Sequence, residues 1–313
     1  MHLQFDKGGL RFFFFTAAIR GRQAVLSRIV PVTGRRAAAC AGWGAEPSRA
    51  GEALIALWRG VHGRDPFLTA SNFAIMPDHV HFLLLVDYRR APDGFDLLGW
   101  WLRFRRAAAA SIAPILGGGP EAVWEEKYWI MLLNAGTSLP SVRHYIRMNP
   151  ARKMWKEQNA DRFVRFAGLH HPVLDPALRW TAIGDLTLLG SPFLFPVVLT
   201  RKKTVPQHEP EIASILERAK SGAIPVSGFL SPGEKRVLAL LRAEPDTRWI
   251  RAVPHGLPPR FDPTVEESRF LAAGRQLVLS SFPTEVPEFP VSWDNCHIMN
   301  DRILAMCARA GAK

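Results

Sequence analysis

Residues 76–85 read MPDHVHFLLL, and this stretch decides the fold expected for the first half of the chain. Its proline and aspartate, Pro77 and Asp78, favour a tight turn. We therefore expect one strand before the turn, over residues 68–76, and a second strand after it, over residues 79–86.

His79 and His81 lie on the second of these strands. Because side chains alternate along a strand, the two imidazoles project from the same face, about 7 Å apart along the chain. Two imidazoles on one face can bind a single metal ion. Two histidines satisfied by solvent or by core partners are the alternative, and a bare His-x-His pattern does not decide between them.

The surrounding segments predict the order β-α-β-β-α-β followed by one further helix. Besides the two strands, the expected elements are a strand over 11–19, a helix opening at Ser48, a helix over 94–115, a strand over 124–133 and a helix over 139–156. Residues 20–48, rich in arginine, glycine and alanine, are expected to be irregular. The order is that of a ferredoxin-like antiparallel sheet, an α+β fold.

The segment HYIRMNP carries Tyr145 and Asn149, which are four residues apart and therefore share one helix face. A tyrosine and an amide oxygen presented together can place a nucleophile beside a metal ion. Pro150 removes a helical N–H and disturbs the turn that contains Asn149. The alternative is a tyrosine packed against the sheet. The other tyrosines, Tyr88 and Tyr128, have no polar partner four residues further along a helix.

The chain is basic, with a net charge of +12, and the charge is uneven. Residues 1–165 contain 23 Lys and Arg against 13 Asp and Glu, whereas residues 166–313 contain 17 against 15. A polyanion is therefore expected to bind mainly to the first half. Cationic side chains on two helices of that half are candidate phosphate contacts, with a solvated helix face as the alternative for any one of them. They are Arg103, Arg105, Arg106, Arg143, Arg147, Arg152 and Lys153.

The hydrophobic fraction of 48% and the charged fraction of 22% are typical of a globular protein. Cys40, Cys296 and Cys307 have no paired spacing, which fits a reducing cytoplasm. The N-terminal residues lack the features of a signal peptide, and no window reaches the roughly 18 apolar residues of a membrane span. We expect a cytoplasmic protein without a membrane partner, associated with the nucleoid when it binds DNA.

Residues 195–313 alternate strands with helices, which predicts an open, mostly parallel α/β sheet. Strands are expected at 195–200, 224–230, 249–254 and 276–282, and helices at about 208–221, from Ser231, at 264–273 and at 294–309. Ser231, Pro232 and Glu234 form a capping box. A glutamate in the first turn disfavours an anion and no glycine-rich phosphate loop occurs, so we assign no ligand there.

Two motifs of the first half resemble a known family. MPDHVHFLLLV is similar to the HUH motif of the single-tyrosine transposases, and HYIRMNPARKMW resembles the tyrosine helix of the REP-associated tyrosine transposases within that group. A basic helix and a Trp-led strand, VWEEKYW, lie between the motifs in the same order. The resemblance covers about residues 10–165. It implies an HUH or RRM-like version of the ferredoxin-like fold and a transposase activity.

The resemblance also implies roles for four residues. By position, Tyr145 attacks a phosphodiester of single-stranded DNA, forms a 5′-phosphotyrosine and releases a 3′-hydroxyl. His79, His81 and Asn149 bind a divalent ion. Imidazole and carbonyl ligands fit Mg²⁺ or Mn²⁺, with zinc still open. The expected function is metal-dependent cleavage and rejoining of single-stranded or hairpin DNA.

Two other functions stay open. The first is a catalytically inactive protein that binds nucleic acid on the same sheet, and the presence of all four residues argues against it. The second is a metal-dependent hydrolase of small phosphoesters, for which the basic charge is incidental. The sequence also leaves the oligomeric state open between a monomer and a homodimer.

The second half resembles another class of protein. The segments VSGFLSPGEK, WIRAVPHGLPP and AAGRQLVLSSFP, in this order, are similar to the Rossmann-like domain of DNA-processing protein A and its relatives. This likeness covers roughly residues 195–310 and has no motif that fixes a ligand. The sequence therefore predicts an HUH single-tyrosine transposase domain at 1–165, a connector at 166–194 and a Rossmann-like α/β domain at 195–313.

Overall fold

The computed structural model describes residues 9–133 and 138–312, apart from the side chain of Arg36. The fold is mixed α/β. The chain divides into two compact units, Met1–Met154 and Trp155–Lys313. Each unit has its own sheet and its own hydrophobic core.

The first unit combines strands and helices, whose bounds follow in chain order. They are β1 (Leu10–Ile19), β2 (Ser27–Pro31), α1 (Arg35–Ala39), β3 (Trp43–Pro47), α2 (Arg49–Arg59), α3 (Val61–Arg64), β4 (Leu68–Ile75), β5 (His79–Asp87), α4 (Leu97–Leu116), β6 (Trp124–Leu132) and α5 (Leu139–Gln158). The expected strands at 11–19, 68–76, 79–86 and 124–133 are confirmed as β1, β4, β5 and β6.

These four strands form one antiparallel sheet in the order β4-β5-β1-β6. Strand β1 is rich in phenylalanine, a residue that favours strands, and it lies inside the sheet. Its pairing with β5 runs from Leu10 opposite Asp87 to Ala18 opposite His79. The register thus puts the end of β1 beside the start of β5, where the histidines lie.

The two faces of this sheet bury different side chains, because alternate residues of a strand point to opposite faces. Phe13 and Phe15 face the larger core, where the ring of Phe15 lies 4.5 Å from that of Trp101 on α4. Phe14 faces a smaller core together with Ile146 of α5. Helices α2 and α4 therefore cover one face, and α5 covers part of the other.

Residues 20–48 are not irregular, contrary to the prediction. Strands β2 and β3 form a two-stranded antiparallel ladder that begins with Ser27 opposite Pro47. Backbone hydrogen bonds hold such a ladder together. The Ser27 hydroxyl also donates to the carbonyl of Ile75, at 2.7 Å. The segment has no regular alternation of apolar residues, which is why its composition indicated a loop.

Helix α2 begins where the sequence predicted. The Ser48 side chain accepts a hydrogen bond from the Gly51 amide at 3.2 Å, which satisfies one of the unpaired N–H groups of the first turn. In α4 the Asp96 carboxylate accepts from the amides of Leu98 and Gly99. That helix therefore starts three residues later than expected.

The second unit also combines strands and helices. They are β7 (Phe166–Leu169), β8 (Trp180–Gly184), β9 (Leu194–Pro196), α6 (Val205–Lys220), β10 (Ile224–Ser227), α7 (Pro232–Ala243), β11 (Trp249–Ala252), α8 (Val265–Ala272), β12 (Gln276–Ser280) and α9 (Trp293–Gly311). The strand order is β7-β8-β12-β11-β10-β9. Strands β9 to β12 are parallel, as expected for this segment.

Residues 166–194 differ from the connector predicted for them, because they contribute strands β7 and β8 to this sheet. Strand β8 pairs antiparallel with β12, from Leu277 opposite Gly184 to Ser280 opposite Thr181. Every residue of β8 is buried. Such pairing between distant segments leaves no local pattern in a strand this short.

The predicted capping box at the start of α7 is present. The Ser231 hydroxyl accepts from the Glu234 amide, and the Glu234 carboxylate accepts from the Ser231 amide. The same carboxylate also accepts from the amides of Leu199 and Leu230. The glutamate therefore occupies the position that an anion would take, and the turn is a structural cap.

Among the helices within residues 9–133 and 138–312, none combines the length and the apolar character needed to cross a bilayer.

Candidate functional site

His79 and His81 lie at the start of β5, on the face of the sheet that carries α5. Their ring centroids are 4.9 Å apart and their planes meet at 82°. His79 is partly exposed, whereas His81 is 5% exposed. The two imidazoles that the sequence placed on one face are thus in direct contact.

Each of these imidazoles has a partner at Nδ1. Nδ1 of His79 lies 2.7 Å from Oδ1 of Asp78, and Nδ1 of His81 lies 2.9 Å from Oγ1 of Thr16. Because a carboxylate only accepts, neutral His79 carries its proton on Nδ1 and its lone pair on Nε2. The tautomer of His81 that donates to Thr16 likewise has its lone pair on Nε2. Contacts of this kind orient metal-binding histidines.

The surroundings of His81 and Asp78 set their charges. Burial lowers the pKa of His81 well below its usual range, and the nearby charges of His79 and Arg152 lower it further. His81 is therefore neutral at pH 7. The hydrogen bond with His79 lowers the pKa of Asp78 to about 2, and Arg22, in an ion pair at 3.5 Å, acts in the same direction. Asp78 is therefore ionised at pH 7.

Tyr145 lies on α5 with its ring against this pair. Its ring centroid is 5.7 Å from that of His81 and 6.1 Å from that of Phe14, and both contacts are edge-on. The guanidinium of Arg152 lies over the phenol ring, with Cζ 4.7 Å from the centroid. Tyr145 is half-buried at the margin of the smaller core. A helix and a strand distant in the chain thus bring one phenol and two imidazoles together.

Asn149 lies on the next turn of α5 and is 6% exposed. Its Nδ2 donates to the backbone carbonyl of Tyr145 at 3.1 Å. This hydrogen bond uses the amide nitrogen, so Oδ1 is the atom of Asn149 that suits a metal ion. Pro150 has no N–H and donates nothing to the carbonyl of Ile146 in the preceding turn. The structure therefore attaches Asn149 to the backbone of the predicted nucleophile.

The donor set fits a divalent ion in its chemistry. Within residues 9–133 and 138–312 no group of three or more His, Cys, Asp or Glu side chains is arranged to hold a metal. The predicted set is of another kind, two imidazole nitrogens and one amide oxygen. Neutral His81, the orientation of His79 by Asp78 and the amide oxygen of Asn149 all suit such an ion.

Four of the predicted phosphate contacts lie on α5 with Tyr145. Arg143 and Arg147 are exposed, and Lys153 is half-buried. Arg152 is 5% exposed and lies against the phenol ring. The exposed pair is therefore accessible to a phosphate, whereas Arg152 is buried against the tyrosine ring.

The other three predicted contacts, Arg103, Arg105 and Arg106, lie on α4. This helix packs on the opposite face of the sheet from Tyr145. Arg103 and Arg106 are exposed. Nη2 of Arg105 donates to the carbonyl of Glu125 at 2.6 Å, so this side chain braces α4 against β6. The structure does not bring these arginines together with the tyrosine.

Sequence reasoning missed two contacts of the site. Asp78 was interpreted only as a turn residue, although its position directly before His79 was an available signal. Thr16 lies on β1, and its contact with His81 follows from a strand register that local patterns do not reveal. Phe14, on the same strand, stacks on the His81 ring at 5.2 Å.

No protein-family model matches the chain, and no curated protein matches it. Among solved structures, the chain is similar to DNA processing protein A from Helicobacter pylori, which has a unique single-stranded DNA binding mode. That match has 23% identity and a TM-score of 0.35, and it covers 46% of this chain and 66% of that one. The REP-associated tyrosine transposase bound to a REP hairpin matches with 19% identity and a TM-score of 0.30, over 51% of this chain and 78% of that one.

DNA processing protein A from Streptococcus pneumoniae matches with 18% identity and a TM-score of 0.35. This match covers 55% of this chain and 60% of that one. At these TM-scores the likenesses assign no function to the chain.

Proposed function

We propose that this chain is a DNA strand transferase of the transposase class, which cleaves and rejoins single-stranded or hairpin DNA through Tyr145. The observation that carries the proposal is the contact between the rings of Tyr145 and His81, whose centroids are 5.7 Å apart, while His81 in turn contacts His79. The resemblance of MPDHVHFLLLV and HYIRMNPARKMW to motifs of the HUH transposases supports it, because these two segments make that contact.

The proposed step is a substitution at phosphorus. Oη of Tyr145 bonds to the phosphorus of a phosphodiester, and the bond from phosphorus to O3′ breaks. The phenol loses its proton, O3′ takes up a proton and leaves as a 3′-hydroxyl, and the 5′ side stays linked as a phosphotyrosine. A phenolate leaves more readily than an alkoxide, so a 3′-hydroxyl can reverse the step and rejoin a strand.

Other residues of the chain prepare this step. The guanidinium of Arg152 puts a positive charge beside the phenol as the phenol loses its proton. His79, His81 and Asn149 are the proposed ligands of Mg²⁺ or Mn²⁺. When bound, such an ion neutralises charge on the phosphodiester. Asp78 and Thr16 hold the two imidazoles at Nδ1, which leaves Nε2 of each for coordination.

The fold supports the two domains in the proposal. The strand order β4-β5-β1-β6, with helices α2 and α4 on one face, supports a ferredoxin-like HUH domain at residues 1–165. The parallel strands β9 to β12 support a Rossmann-like domain at residues 195–313, to which β7 and β8 add an antiparallel edge. We assign no catalytic residue to this second domain.

The proposed partner is DNA, in keeping with the excess of Lys and Arg over residues 1–165. Arg143 and Arg147 are the proposed phosphate contacts on the helix that carries the tyrosine, since both are exposed on α5. The proposed place of action is the cytoplasm, on DNA of the nucleoid.

Covalent capture tests the proposal. The protein is incubated with Mn²⁺ and an end-labelled DNA hairpin, and denaturing electrophoresis then separates any protein–DNA adduct. We expect an adduct that is absent from Tyr145→Phe and retained in Tyr88→Phe, a matched change in the same unit. An adduct that persists in Tyr145→Phe would overturn the assignment.

Two other outcomes would identify the competing functions. Binding of the hairpin without any adduct would indicate an inactive nucleic-acid-binding protein on the same sheet. Release of inorganic phosphate from a small phosphoester, again without an adduct, would indicate a metal-dependent hydrolase.

A further inference from the structure

Trp129 on β6 is 64% exposed, although tryptophan is among the largest apolar side chains and usually buries most of its surface. Its neighbours Tyr128 and Ile130 pack against the larger core. Because alternate residues of a strand face opposite sides, Trp129 points to the face that carries His81 and Tyr145. Packing within the unit does not explain an aromatic ring left open on that face.

The strand register puts Trp129 in one row with His81. Thr16 of β1 pairs with His81 of β5 on one side and with Trp129 of β6 on the other. Adjacent strands are about 4.8 Å apart, so the backbone of Trp129 lies roughly 10 Å from that of His81 across the sheet. Helix α5 covers the neighbouring part of this face, where Met131 packs against the smaller core. The row formed by His81, Thr16 and Trp129 therefore lies at the edge of the area that α5 covers.

A cleft with a volume of about 510 Å³ lies along β6, and its lining ends at Lys127, two residues before Trp129. The pairing of β1 with β6 shifts register between Ala17 and Ile19, at the same place. Ala18 lines the cleft and pairs with His79 on its other side. The remaining lining residues are Arg20, Arg22, Glu125, Glu126 and Lys127.

The charges of the cleft favour a polyanion. Arg20, Arg22 and Lys127 are exposed and outnumber the two lining carboxylates, although Arg22 also forms an ion pair with Asp78 at 3.5 Å. One of those carboxylates, that of Glu125, accepts the Gly21 amide at 2.8 Å. An exposed aromatic ring next to several cations is the pairing that single-stranded nucleic acid requires, with stacking for a base and charge for its phosphates.

We infer that Trp129 stacks an unpaired base of the single-stranded DNA substrate, whose adjoining phosphates pass along the cleft lined by Arg20, Arg22 and Lys127. The inference rests on the proposed function, because that function puts the scissile phosphodiester beside His81. Stacking on an aromatic side chain of a sheet tolerates any base, so this contact holds the strand without selecting its sequence.

Binding to Tyr145→Phe protein tests the inference without cleavage. The probe is a short fluorescein-labelled single strand of mixed sequence, and anisotropy gives Kd. We expect Trp129→Ala to raise Kd about tenfold and Trp129→Phe to raise it much less, because phenylalanine keeps a ring. Trp293→Ala is the control, since Trp293 is 73% exposed in the second unit. It is expected to leave Kd unchanged.

A scan with abasic nucleotides identifies the stacked base. One abasic position is expected to raise Kd about tenfold with Trp129 present and to have no further effect in Trp129→Ala, because both changes remove the same contact. Alanine is less suited to a strand than threonine. If Trp129→Ala melts at a lower temperature, the same measurements are therefore made on Trp129→Thr.

The outcomes separate the inference from the proposed function. Unchanged binding in Trp129→Ala and Trp129→Thr, or an abasic penalty that persists in those two variants, overturns the stacking role even if a Tyr145-dependent adduct forms. If the abasic effect disappears in Trp129→Ala as expected, but no protein–DNA adduct forms, the stacking role is upheld and strand transfer is overturned. Sedimentation that shows Trp129→Ala dissociating a dimer assigns the ring to a protein contact and also overturns the inference.

Discussion

Oγ1 of Thr16 lies 2.9 Å from Nδ1 of His81, although 65 positions separate the two residues in the chain. This contact fixes an imidazole whose ring also contacts those of Phe14, His79 and Tyr145, and it leads to the first prediction. Thr16→Val keeps the branched shape and removes the hydroxyl that holds Nδ1. We expect Mn²⁺ to bind about tenfold more weakly, measured by calorimetry on Tyr145→Phe protein. Thr69→Val, an exposed threonine on β4, is the control, and an equal loss in both would contradict the prediction.

The pKa of Asp78 predicts how the stability of the folded chain changes with pH. The hydrogen bond with His79 lowers this pKa from 3.8 to about 2 in the folded chain. The stabilisation by the carboxylate is therefore complete above pH 3.8 and is lost as the pH falls through about 2. Asp78→Asn is expected to lower the free energy of urea unfolding near neutral pH, with a deficit that shrinks towards pH 2. Asp93→Asn, at an exposed position, should show no such trend.

The position of the two basic helices predicts unequal effects on DNA binding. Arg147 is exposed on α5, the helix that carries Tyr145, whereas Arg103 is exposed on α4 across the sheet. We expect Arg147→Ala to weaken binding of single-stranded DNA and to reduce the slope of log Kd against log salt by about 0.7, the value for one phosphate contact. Arg103→Ala should change both quantities less. Anisotropy titrations at several salt concentrations measure this, and equal slopes would argue against α5 as the phosphate-binding helix.

His208 of α6 predicts an effect of the opposite sign in the second unit. Its Nδ1 lies 2.6 Å from the Glu211 carboxylate and its Nε2 lies 2.9 Å from the Thr200 carbonyl. Both partners accept, and these contacts raise the pKa of His208, with Thr200 the larger cause, while burial and then the charge of Lys203 oppose them. Its stabilisation is complete below the unfolded pKa of about 6.5 and is lost as the pH rises through the higher folded value.

His208→Gln is therefore expected to lower the urea midpoint more at about pH 6 than at about pH 9. His170→Gln, at an exposed position of the same unit, is the control and should give a small difference at both values. A deficit of His208→Gln that grows with pH would mean that the buried imidazole is neutral.

Local patterns predicted the elements that depend on neighbouring residues. Alternation along a strand put His79 and His81 on one face, and Ser48 and Ser231 marked helix starts that the structure has. The hairpin of β2 and β3 and the strand β8 were missed for a physical reason. Each depends on pairing with a distant segment, and their own sequences carry no regular apolar period.

In the candidate site, too, local patterns predicted some features and missed those that depend on pairing between distant segments. The spacing of Tyr145 and Asn149 put both on one helix, but nothing in their own segment says which face of the sheet that helix covers. Resemblance to a family supplied the expectation that the tyrosine lies near the histidines. The contact of Thr16 with His81 and the row that joins it to Trp129 required the strand register, which only the three-dimensional structure gives.

Successive residues of strand β6 lie in two different environments. Tyr128 and Ile130 are fixed by the interior of the unit, whereas Lys127 and Trp129 face outward on an edge strand. Lys127 and Trp129 can therefore diverge without repacking the interior, whereas Met131, further along the same face, packs against the smaller core. Substitution at these outward positions alone changes the surface of the strand, while the imidazoles and the phenol keep their places.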